Sequence, residues 1–171
     1  RYNINTQVTH ELGSGLFDPA AWVGYIVYDK FNDCFYVSHY ARYSIYKISK
    51  TGNDWADGVK SEIYAGSPSQ SAVVDGNLED ARFRDPRSMC MDEDGNLSVC
   101  EFNNSNVIRK ISAPYGYVST VAGTLGKESP QTNGDPAEAI FLDPRDITYD
   151  GNGNFFIAEW WESTIRRYAV E

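Results

Sequence analysis

Two arginines precede two glutamates by the same interval, and an aromatic residue follows each glutamate. Arg87 leads to Glu101-Phe102, and Arg145 leads to Glu159-Trp160-Trp161. A divergent third set places Trp22 ahead of His39-Tyr40. Two kinds of chemistry suit these residue types. Rings stack on the apolar faces of a sugar or peptide while charged groups fix its polar atoms, which makes Trp22, Tyr40, Arg87, Phe102, Arg145, Trp160 and Trp161 the binding candidates. Carboxylates and an imidazole can also move protons, which makes His39, Glu101 and Glu159 the catalytic candidates. A plainer use is open too: Arg and Glu repeated in this way serve as structural pairs that tie loops together. Exposed pairs of that sort contribute roughly 0–1 kcal/mol each.

The remaining inventory narrows the choice. His10 and His39 are the only histidines, too few for a catalytic centre built on several imidazoles. No nucleophile elbow, phosphate loop or Cys/His ligand spacing occurs, so the expectation is no metal and no cofactor. The three cysteines cannot all pair, and Cys90 and Cys100 are read as buried thiols. A formal charge of −9 with scattered basic residues opposes a phosphate backbone, which removes nucleic acid from the expected partners. No apolar run approaches the ~20 residues of a transmembrane helix.

These residues sit in a repeat. Ala81-Arg82-Phe83-Arg84-Asp85-Pro86-Arg87 returns at an offset of 58 residues as Ala139-Ile140-Phe141-Leu142-Asp143-Pro144-Arg145. Asp92, Gly95-Asn96 and Glu101 recur as Asp150, Gly153-Asn154 and Glu159, and Ile108-Arg109 is echoed by Ile165-Arg166. An offset held over so many positions marks one structural unit used again. Acidic Gly-Asn turns between short β-prone runs predict hairpins. The second copy reads as strands 87–92, 97–101, 106–111 and 117–122. The third reads as 145–150, 154–159 and 164–169, without a fourth. The divergent first copy reads as 25–28, 34–38, 44–48 and 61–65, with a polar loop over 50–60. An outer strand over 6–13 precedes it. Asp85 and Asp143 are expected to cap turns, Asp92, Asp94 and Asp150 to hold hairpins, and Phe83 and Phe141 to plug the core between units.

The run from Tyr64-Ala65-Gly66 through Asp75-Gly76, Ala81-x-Phe83-x-Asp85-Pro86, Asp92-x-Asp94-Gly95-Asn96 and Ile108-Arg109-Lys110-Ile111 resembles an NHL repeat. The copy from Val121-Ala122-Gly123 to Ile165-Arg166-Arg167 resembles one as well. The resemblance implies an all-β chain: a β-propeller, TolB-like, most often six-bladed. Residues 1–171 then form one segment of about three blades, over 22–66, 86–123 and an incomplete 144–171, or about half of such a ring. The remaining blades come from the same chain or from a second copy; a three-bladed unit with unusual capping is the other reading. The Asp that ends the second strand in that family is replaced here by His39, Glu101 and Glu159.

In such a blade the start of strand one and the end of strand two share an edge, and the innermost strand lines the central channel. This predicts Arg87 beside Glu101 and Arg145 beside Glu159 at the channel mouth. Strand alternation predicts that one of Trp160 and Trp161 packs while the other, Trp160, is exposed. The function expected is a binding module for a protein or carbohydrate partner within a larger bacterial extracytoplasmic protein. The alternative is a propeller hydrolase or lyase whose site is completed by residues outside this chain.

Overall fold

The computed structural model describes residues 11–17, 22–127 and 130–169. Among the described residues, eleven strands make three antiparallel sheets. The first sheet is β1 (Val23–Asp29), β2 (Cys34–His39), β3 (Ser44–Lys50) and β4 (Val59–Gly66), in that order. The second is β5 (Pro86–Met91), β6 (Leu97–Glu101), β7 (Val107–Ser112) and β8 (Tyr117–Ala122). The third has β9 (Pro144–Tyr149), β10 (Asn154–Glu159) and β11 (Thr164–Ala169), with β11 at its edge among the described residues.

Short polar devices close the hairpins where the sequence predicts them. The Asp92 carboxylate accepts from the Asp94 and Asn96 amides and from Asn96 Nδ2. Asp150 does the same for Asn152 and Asn154, and Asp29 for Phe31 and Asn32. Each is a side chain standing in for a backbone acceptor in a tight turn. The polar loop of the first sheet is shorter than predicted, because β3 runs on to Lys50 and β4 starts at Val59. Between them one turn of 3-10 helix, Trp55–Asp57, is capped reciprocally by Asp54 and Asp57. Of the expected outer strand, residues 6–10 lie outside the described residues, and 11–13 are not in a strand.

The sheets stack face to face, with β5 packed against both β1 and β9. Period-2 alternation gives the middle sheet two apolar faces. Met89, Leu97, Val99, Ile111 and Val118 face the first sheet and meet Cys34, Tyr36, Ile45 and Ala65. Cys90, Cys100, Ile108 and Ala122 face the third and meet Ile147, Phe155 and Ile157. Phe83 fills the first interface and Phe141 the second, as the repeat predicts. The cysteines are free and buried, and burial pushes the Cys90 thiol up to about 12 and that of Cys100 well above its ordinary value. They act as small core hydrophobes.

Candidate functional site

The two glutamates lie below the surface. Glu101 is fully buried and paired with Arg109, itself fully buried. Arg109 also donates to the carbonyls of Arg82 (3.0 Å) and Val74 (2.9 Å) and to Asp75 (3.0 Å), while the Arg84 amide donates to Glu101 (2.7 Å). The third sheet repeats this clasp. Arg166 donates to Glu159 (3.2 Å) and to the carbonyls of Ile140 (3.2 Å) and Thr132 (2.6 Å). The Leu142 amide and Gln131 Nε2 donate to Glu159. Each clasp ties the loop that carries a plug phenylalanine to the sheet behind it, and each guanidinium lies over that ring. Burial pushes the Glu101 carboxyl above its ordinary value, with Arg109 pulling the other way.

The predicted pairs Arg87–Glu101 and Arg145–Glu159 therefore do not form. Register explains why: Pro86 stands opposite Glu101 and Pro144 opposite Glu159. The arginine one position on points to the other face. Arg87 pairs instead with Asp85 (3.0 Å) and Arg145 with Asp143 (3.0 Å), so these aspartates anchor arginines as well as standing before prolines. In the first sheet His39 and Tyr46 occupy the places of Glu101 and Arg109. His39 is fully buried and packs within an aromatic trio: Phe17 lies 6.2 Å from it and 5.6 Å from Tyr46, and His39 lies 5.5 Å from Tyr46. The catalytic candidates His39, Glu101 and Glu159 thus sit in the interior.

The binding candidates come together. Trp22 meets Tyr40 edge to face at 6.1 Å. The Arg87 guanidinium lies over Tyr40 (4.0 Å) and Phe102 (4.8 Å), and that of Arg145 over Phe102 (4.4 Å) and Trp160 (5.0 Å). The result is a ladder, Trp22–Tyr40–Arg87–Phe102–Arg145–Trp160, running across all three sheets. Repeated backbone geometry sets its rungs. The Phe102 amide donates to the Asp85 carbonyl (3.1 Å), and the Trp160 amide to that of Asp143 (3.0 Å). Each ring then opens a tight turn, closed when Tyr43, Ser105 or Ser163 donates back to its carbonyl. Cation–π contacts of this kind are worth about 0.5–1 kcal/mol at exposed sites. Burial pushes the Asp85 carboxyl up, opposed by Arg87 and then Arg145.

Trp160 and Trp161 are both exposed, at 64% and 74%. The expectation that one packs does not hold, because β10 ends at Glu159 and both rings sit in the turn, beyond strand alternation. Trp161 helps to wall a cleft of about 540 Å³ between the second and third sheets. Phe102, Asn103, Asn104, Arg145 and Glu162 share that wall, with Leu142 and Asp143 also lining the cleft. The volume falls within the range of small-molecule sites. Sequence reasoning did not single out Asn103, Asn104 or Glu162, which follow the ladder aromatics in the turns. It also passed over Arg109 and Arg166 as clasp residues, although Ile-Arg recurs in both copies. Phe17 had a signal as well, since Phe17-Asp18-Pro19 is a shortened form of Phe83-Arg84-Asp85-Pro86.

No protein-family model matches the sequence, and no curated protein matches it. Among solved structures, a Bacteroides thetaiotaomicron protein of unknown function is 38% identical, with a TM-score of 0.80 over 99% of this chain and 41% of its own. An auxiliary nutrient binding protein from the same organism is 24% identical, with a TM-score of 0.78 over 97% of this chain and 41% of its own. A Bacteroides ovatus protein of the same description is 23% identical, with a TM-score of 0.72 over 85% of this chain and 37% of its own. The chain therefore spans about two fifths of the length of the proteins it resembles. With its three stacked sheets of four, four and three antiparallel strands, it has an all-β, propeller-type fold.

Proposed function

We propose that this chain belongs to a binding protein, and that its ladder and the adjoining cleft hold a carbohydrate. The observation that carries the reading is the ladder itself. Three sheets contribute alternating rings and guanidiniums to one surface, and two exposed tryptophans stand at its end beside a cleft lined with amides. Flat rings suit the apolar face of a pyranose, and amides suit its hydroxyls. Two proteins of similar fold are described as auxiliary nutrient binding proteins, which is in keeping with this reading. The companion proposals are an NHL-type repeat, a ring completed by further blades from the same chain or a second copy, and an extracytoplasmic setting in a bacterium. The lyase or hydrolase alternative gains no observation of its own, since His39, Glu101 and Glu159 are enclosed by core packing and ion pairs.

Calorimetric titration of neutral and acidic oligosaccharides tests the proposal, using the chain and its Trp160→Ala, Trp161→Ala variant. The expected result is binding by the chain and a loss of at least about tenfold in the variant, the scale of 1.4 kcal/mol. Equal binding by both would remove the ladder's end as the site. Binding of peptides in place of every glycan would move the function to protein recognition.

A further inference from the structure

The arginines of the ladder look at first like receptors for an acidic ligand, but their geometry argues otherwise. Arg145 turns one edge of its guanidinium to Asp143: Nε donates at 3.0 and 3.2 Å, and Nη2 at 3.0 Å. Such a fork is the one that would otherwise grip a ligand carboxylate or sulfate. The Arg145 guanidinium also lies over the Phe102 and Trp160 rings, while its side chain stays 39% exposed. Arg87 lies likewise over Tyr40 and Phe102 and is ion-paired with Asp85 (Nε to Oδ1 3.0 Å), without the hydrogen-bonded fork of Arg145. Each arginine is thus neutralised by its own buried aspartate. Across the cleft the one further charge in the wall, Glu162, is negative, and the chain as a whole carries −9. An incoming anion meets no net positive charge here.

We propose that the cleft beside Trp161 selects neutral sugars over acidic ones, with Arg145 acting as a stacking platform and hydroxyl donor in place of an anion receptor. The proposal rests on the carbohydrate reading above. In it one pyranose lies against Trp161, and its hydroxyls donate to Glu162 and exchange hydrogen bonds with the Asn103 and Asn104 amides. The free N–H groups of Arg145 complete the donors. Selectivity arises because a carboxylate or sulfate on the sugar would leave water without gaining a countercharge.

The test measures affinity for neutral glucan oligosaccharides against oligogalacturonate and heparin-type oligosaccharides, from about 50 to 500 mM salt. The expected result is binding of the neutral set with little salt dependence, and acidic affinities at least tenfold weaker. Two variants reverse the discrimination. Asp143→Asn releases the Arg145 fork, and asparagine tolerates the left-handed backbone of position 143 (φ 59°), so the turn is kept. Glu162→Gln removes the opposing charge from an exposed turn. Each is expected to strengthen acidic binding at least tenfold, with the gain erased by salt. Acidic ligands that bind the unaltered chain more tightly, weaken with salt and are lost in Trp161→Ala would overturn the selectivity and leave the carbohydrate reading standing. Failure of every glycan to bind would overturn both.

Discussion

Glu101 and Arg109 form an ion pair with no access to water, and such a pair is held by completeness more than by attraction. Glu101→Gln leaves the enclosed Arg109 with only the partly exposed Asp75 as countercharge, with an expected cost of about 3 kcal/mol in the denaturant unfolding free energy. Glu159→Gln is expected to cost less, because the Arg166 side chain keeps 11% exposure. Equal effects would show that burial does not set the scale. The Asp29 carboxylate supplies a pH-dependent counterpart. Burial alone would raise it, yet donors from Asn32 and the Phe31 amide outweigh burial and hold it below its ordinary value of 3.8. A depressed carboxyl contributes stability that is present above 3.8 and lost as pH falls through its folded value. Asp29→Asn is therefore expected to be less stable at about pH 6, with the gap closing as pH falls below 3.8. A gap that stays constant with pH would rule out this linkage. At this scale the sequence was legible in residue type and in repetition, since every ladder member could be named from its place in the repeat. Partners were not legible. Which of Pro86 and Arg87 faces Glu101 depends on a one-residue register, and a strand reverses its faces at each step.

The loop before each first strand is the element that joins one sheet to the next. It brings Phe83 or Phe141 into the interface, and a glycine at the end of the preceding sheet makes room. Gly66 has φ 90°, and a Cβ there would sit 2.6 Å from the Tyr43 carbonyl oxygen and 2.9 Å from the Phe83 ring. Gly123 has φ 100°, and its Cβ would lie 2.6 Å from the Asn106 carbonyl oxygen and 3.1 Å from Phe141. Backbone and plug thus share one space at both interfaces. Gly66→Ala and Gly123→Ala are each expected to destabilise the chain by more than about 1 kcal/mol, against the gain that Gly→Ala gives where φ is negative. Unchanged melting in both would show that the interface can yield. The strands were readable to within a few residues because their signals are local: acidic Gly-Asn turns, β-branched runs and alternation. The first sheet was the hardest to delimit. Its hairpin has Asn32-Asp33 where the others have glycine, and its clasp is replaced by rings. Long-range contacts, such as the grip of Arg109 on the Val74 carbonyl, leave no local pattern to read.

Among the described residues, the middle sheet is covered on both faces and each outer one fully on one face only, the far face of the first being capped in part by Leu16 and Phe17. The two open faces differ. On the first sheet Val27 and Tyr64 pack inward, so Ile26, Tyr28 and Ile63 point out, joined by the Tyr28–Phe35–Trp55 ring contacts. On the third sheet Ile165, 70% exposed, shares its face with Phe156 and Ala158 but also with Asp146, Thr148 and Arg167, so the surface is mixed. A contiguous apolar face behaves as an interaction surface, whereas apolar residues interrupted by charged and polar neighbours do so less. The chain of 171 residues is accordingly expected to self-associate through its first sheet, and sedimentation velocity over a range of concentrations reads this directly. Ile26→Glu places a charge on that face, on an edge-strand residue 64% exposed, and is expected to return the monomer without loss of fold. Ile165→Glu, on the mixed face, is expected to leave association unchanged. A chain that stays monomeric at all concentrations would show that the first sheet's open face is tolerated in water. Equal effects of the two substitutions would show that both flanks take part, so that composition does not decide which open face of a stacked sheet seeks a partner.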